Sequence, residues 1–149
     1  MFKVLKFLTN FTILVFLAVV LTVYAFMPQP AGILFDEEGK TIYSVPRDTF
    51  FYFSLFAFIA IQLIVFFFIK NLEKKAEGDV MQRFLIWSQG FNLAINLFFI
   101  LFLVFIGLAN NAVDYSFSSI QFILYAAPLV VILWVMLLPV WLYVKRGKS

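Results

Sequence analysis

The chain has 149 residues, 64% of them hydrophobic and 13% charged, a balance that places it among membrane proteins rather than water-soluble domains. Cysteine and histidine are both absent, which excludes disulfide frameworks, thiolate nucleophiles, iron–sulfur sites and the usual haem and zinc ligand. The net charge of +3 sits at the edges of apolar runs instead of in a basic, aromatic-interleaved patch, so nothing marks a nucleic-acid binder.

The first apolar run follows Lys3 and Lys6 and extends from Phe7 to Met27. Val23-Tyr24-Ala25 has the look of a small-residue cleavage site, but the run is longer than the ~7–15 residues of a signal-peptide core. It reads as a retained first span over 5–27, ended by Pro28 and Pro30. The loop at 28–47 holds two short β-prone runs around Asp36-Glu37-Glu38-Gly39. A type I turn with Gly39 in the left-handed region would close them into a small hairpin that needs a surface to lie on. The three adjacent carboxylates do not make a cation cage without further oxygen ligands. Pro46 and Asp48 then suit the first turn of a helix.

The second span, over 48–75, is rich in phenylalanine and carries one mid-span amide, Gln62. Ser54, Ala57 and Ala60 recur at intervals of three, the spacing that allows close helix approach. A charged link follows. Lys70, Lys74, Lys75 and Arg83 can attract anionic lipid at about 1 kcal/mol each, and Lys145 and Arg146 can do the same at the far end of the chain. Gly78 is a helix stop, and Asp79-Val-Met-Gln82 has capping-box form, predicting a third helix over 80–109.

Phe84 to Leu108 carries no charge and no proline and would rise about 37 Å as a helix, enough to cross a bilayer with some tilt. Gln89, Asn92 and Asn96 lie at i, i+3 and i+7, so three amides share one face that must look at protein. Gly90 and Ala94 form a small-xxx-small pair. The fourth span, over 118–145, opens on a second capping-box candidate, Ser118-Ser-Ile-Gln121, and contains Pro128 and Pro139.

The fold class is therefore an all-α integral membrane protein: one domain over 1–149, four transmembrane helices in an antiparallel bundle, and a small hairpin between the first two. Of the eleven Lys and Arg, all but Lys40 and Arg47 lie at the N-terminus, the second link or the C-terminal tail. That asymmetry predicts a protein of the cytoplasmic (inner) membrane with both termini in the cytoplasm and the hairpin outside.

Gln62 is eight residues from Lys70 and Asn92 nine from Arg83, so both lie about 12–14 Å deep, and Trp134 on the fourth span is central too. Gln62, Gln89, Asn92, Asn96 and Trp134 are accordingly expected to form an intramembrane polar cluster, with the Trp134 indole donating to an asparagine. Interhelical glue is the first reading of that cluster and a ligand site the second. No Asp, Glu, Lys or Arg lies within the apolar part of any span (Phe7–Met27, Thr49–Ile69, Phe84–Leu108 and Ile120–Val144), which argues against proton relays, ion-coupled transport and voltage sensing. The 22 phenylalanines exceed what four helices can bury internally, leaving lipid or a partner to cover them. These features predict no enzyme, no cofactor and no catalytic or metal-binding residue. The function expected is that of a subunit or assembly partner in a larger inner-membrane complex, a hetero-complex in preference to a homo-oligomer. The alternative is a homo-oligomeric transport or small-ligand and lipid-binding module using the polar face of the third helix.

Overall fold

The computed structural model describes residues 1–111 and 116–143. In chain order it contains α1 (Phe2–Phe26), β1 (Ala31–Phe35), β2 (Thr41–Val45), α2 (Arg47–Lys75), α3 (Asp79–Asn110) and α4 (Phe117–Tyr143). All four helices are long and apolar enough to cross a membrane.

Their packing is not that of a square bundle in which each helix has two equal neighbours. Helix α3 is the axis: α1 and α4 pack along it most extensively, α2 leans on it less, and α4 has no extensive contact with α1 or α2. Burial follows the same order. Eleven residues of α3 are buried, against Ile120 and Ala127 alone on α4. The sequence explains this, because α3 carries small or amide residues on several faces, namely Ser88, Gln89, Gly90, Asn92, Ala94 and Asn96, and all six are buried.

Helix α1 buries one stripe, Thr9, Thr12, Phe16, Val20 and Val23, at the three-to-four-residue spacing of a single helical face. Its threonine hydroxyls donate to carbonyls one turn back, Thr9 to Leu5 O and Thr12 to Thr9 O, both at 2.8 Å, so they enter an apolar interior with their donors satisfied. Gly107 of α3 receives Val23, whose Cγ2 lies 2.9 Å from where a Cβ would stand. The contact between α1 and α2 rests on large rings: Phe16 stacks on Phe58 at 3.7 Å between centroids, and Phe99 of α3 meets both edge-on.

The helix starts differ from those the sequence suggests. Asp79 is already helical and Gly78, at φ +88°, is the N-cap, so the expected Asp79–Gln82 capping box does not form. Asp79 instead faces Arg83 one turn on, at 4.0 Å. Likewise Ser118 lies inside the first turn of α4, which begins at Phe117, and cannot be its cap.

Strands β1 and β2 pair antiparallel, Ala31 opposite Val45 and Phe35 opposite Thr41. Asp36 closes the turn: its Oδ1 accepts from Glu38 N at 3.0 Å and Lys40 N at 2.7 Å, and Gly39 takes φ +84°. The surface beneath the hairpin is the end of α3 and the start of α4. Asn110 grips Gly32 at both backbone groups, accepting from Gly32 N at 2.7 Å and donating to Gly32 O at 2.8 Å. Phe35 packs against Phe105 and Phe117, and Gly39 lies so close to Phe117 that a Cβ there would stand 2.7 Å from the Phe117 Cβ. At the same end Tyr24 donates to Asp48 Oδ1 at 2.7 Å, with the Arg47 guanidinium 4.7 Å from the Tyr24 ring centre.

Candidate functional site

Three of the four amides meet in one layer near the middle of the bundle, towards its basic end, where the α2–α3 link and the start of α1 lie. Gln62 Nε2 donates to Asn96 Oδ1 at 2.6 Å and to Asn92 Oδ1 at 3.2 Å, joining α2 to α3. Asn96 Nδ2 turns the other way, donating to Thr12 Oγ1 at 2.9 Å and to Thr9 O at 3.3 Å, which joins α3 to α1. Asn96 is wholly buried, and both ends of its amide are engaged. Gln89 meets α1 separately, its Nε2 donating to Thr9 Oγ1 at 2.9 Å. A threonine hydroxyl that has already donated to its own helix still has lone pairs to offer, and Thr9 and Thr12 use them in this way.

Trp134 does not join the layer, contrary to the sequence reading. Its Nε1 donates to Trp87 O at 3.1 Å, and Trp87 Nε1 donates to Trp134 O at 3.1 Å, a reciprocal lock between α3 and α4. Counting along α4 makes Trp134 central but says nothing of its azimuth, and its partners on α3, Trp87 and Gly90, lie nine and six residues before Asn96. Gly90 has its role here: a methyl group built on it would overlap Trp134 Cζ2, so the absent side chain is the seat of the indole ring. The small residues on α3 thus divide their work, Gly90 admitting a ring from α4 and Ala94 lying buried in the interior. On α2 only Ser54 of the small set is buried, its Oγ donating to Phe50 O at 2.8 Å, while Ala57 and Ala60 are half-buried.

Two clefts flank these contacts. The first, about 530 Å³, opens between α1 and α2 at the basic end. Thr9, Asn10, Gln62, Gln89 and Asn92 line it, with Lys6, Lys70 and Glu73 towards the end of the bundle. Gln62 Oε1, Gln89 Oε1 and Asn92 Nδ2 have no partner among the described residues, yet none is sealed off; the one sealed side-chain polar atom without a partner there is Arg47 Nε. The second cleft, about 640 Å³, lies between α3 and α4 and is almost wholly apolar. All three tryptophans of the chain, Trp87, Trp134 and Trp141, line it, with Arg83 and Met1 beside them.

Among the basic residues proposed to meet lipid, Lys70 is exposed with its Nζ 5.5 Å from the Phe66 ring centre, and Lys74 and Lys75 are exposed in the last turn of α2. Arg83 is mostly covered beside the tryptophan cleft, and Lys145 and Arg146 lie outside the described residues. No group of three or more His, Cys, Asp or Glu that could hold a metal ion occurs among the described residues. The sequence reading missed Thr9, Thr12 and Asn110. Threonine in an apolar helix gives no periodic signal, and Asn110 stands at a helix end where asparagine ordinarily reads as a turn residue. Comparison with protein-family models, curated proteins and solved structures finds no match to the chain.

Proposed function

We propose that the protein is a non-enzymatic multi-pass protein of the cytoplasmic membrane, with both termini inside, and that it serves as a subunit or assembly partner of a larger hetero-complex. The observation that carries this reading is the convergence of all three tryptophans on one apolar cleft between α3 and α4. Tryptophan is enriched where proteins meet, because a rigid, large ring loses little rotamer freedom on packing. Helix α4 adds to the argument. It has two buried residues, and Pro128 and Pro139 each leave the carbonyl four residues earlier, on Leu124 and Val135, without its intrahelical donor. At membrane depth such carbonyls are best satisfied by another protein segment. Purification in mild detergent tests the reading. A tagged wild-type chain should migrate with one reproducible set of other membrane polypeptides, and Trp141→Ala should weaken that association. A chain that purifies alone, whatever the detergent, would remove the proposal.

The first cleft favours a second reading, a small-ligand or lipid-binding module. Its transport form, in which several copies turn Gln89, Asn92 and Asn96 towards a solute path, is opposed by Asn96, whose amide is buried and held by α1 and α2.

A further inference from the structure

We propose that the cleft between α1 and α2 is the site of one bound anionic phospholipid, with its phosphate at Lys6 and Lys70 and its ester region against Asn10. This deepens the second reading above and stands apart from the subunit assignment. The charges at the mouth are two ammonium groups and the Glu73 carboxylate, leaving one positive charge to meet one phosphodiester. A zwitterionic lipid brings its own ammonium group and gains less from that balance.

Depth supports the assignment. Asn10 lies one helical turn from Lys6, about 6 Å along α1 at ~1.5 Å per residue, which is where ester carbonyls follow a phosphate. Ester carbonyls accept hydrogen bonds and cannot donate them. The cleft offers the exposed Asn10 amide at that depth, and the unengaged Nδ2 of Asn92, a side chain 7% exposed, lies deeper on its floor. Ile13, Phe58, Ile59 and Leu63 provide an apolar wall for the start of one acyl chain. Lysines alone would mark any membrane edge. Here they stand over a recess in which the Asn10 amide lies one turn below the ammonium groups and an apolar wall follows.

Native mass spectrometry of the full chain in mild detergent, titrated with phosphatidylglycerol or phosphatidylethanolamine, tests the site. The wild-type chain should retain one phosphatidylglycerol at least tenfold more tightly than phosphatidylethanolamine. Lys6→Gln with Lys70→Gln should abolish that preference, and Asn10→Leu should weaken retention severalfold. All three side chains are exposed and make no structural hydrogen bond among the described residues, so these variants should keep the wild-type melting temperature. The control pair Lys74→Gln with Lys75→Gln, outside the cleft, should leave retention unchanged. Equal retention of the two lipids by the wild type, or an equal loss in the control pair, would overturn the proposal.

Discussion

Gln62 Nε2 lies 2.6 Å from Asn96 Oδ1, and through Asn96 Nδ2 the same amide reaches Thr12 on α1. One side chain therefore ties three helices together. Replacing Asn96 by Leu removes these bonds and leaves the Gln62 amide facing a methyl group. Buried interhelical bonds in membranes contribute roughly 0.6–2 kcal/mol each, so a loss of about 1–3 kcal/mol is expected, with insertion intact. Thermal or SDS unfolding of the purified variant measures it. An unchanged midpoint would mean that the layer is not what holds α1 and α2 to α3.

A second prediction concerns Gly90 and Trp134. Gly90→Ala places a methyl group where the Trp134 ring sits, and overpacking of this kind costs about 1–3 kcal/mol. Trp134→Leu, with a smaller side chain, loses the indole bond to Trp87 O but frees the space. In the double variant the alanine should cost much less than it does alone. Strict additivity in that double-mutant cycle would show that the ring is not seated on Gly90.

How far these contacts could be read from residues depends on which coordinate matters. Depth along a span is a matter of counting, and counting from Lys70 and Arg83 puts Gln62 and Asn92 at one level. Azimuth is legible only within one helix, as for Asn92 and Asn96, whose spacing fixes a shared face. Between helices it depends on packing, which is why Trp134, counted as central along α4, meets Trp87 and Gly90 instead of the asparagines. The four apolar helices and the Asp36–Gly39 turn were legible because length, hydropathy and turn chemistry are local properties. The small and amide residues of α3 mark it as the helix the others pack on, but which neighbour takes which face was not legible, since that depends on packing between helices.

The hairpin supplies a third prediction. Asn110 is its two-point anchor through Gly32, so Asn110→Ala should cost about 1–3 kcal/mol and release the strands from the helix end. Hydrogen exchange over residues 31–45 should speed up markedly in this variant, while the α3 core amides stay protected. Protection of 31–45 unchanged from wild type would assign the anchoring to Phe35 and Phe117 alone.

Orientation gives a fourth. On the proposed orientation, with the basic link and both termini in the cytoplasm, a cysteine placed at Lys75 should resist a membrane-impermeant thiol reagent in intact cells, and one at Lys40 should react. The parent chain has no cysteine, so the signal is free of background. The reverse pattern would invert the topology.

The central claim, that the tryptophan cleft is a docking surface for another subunit, is tested most directly by photo-crosslinking in native membranes. A photoreactive residue at Leu137, which lines the cleft and is half exposed, should give one adduct of constant mass containing a different polypeptide. The same group at Ile64, exposed on α2 away from the cleft, should not. Lipid adducts alone at Leu137, or the same protein adduct from both positions, would contradict the claim.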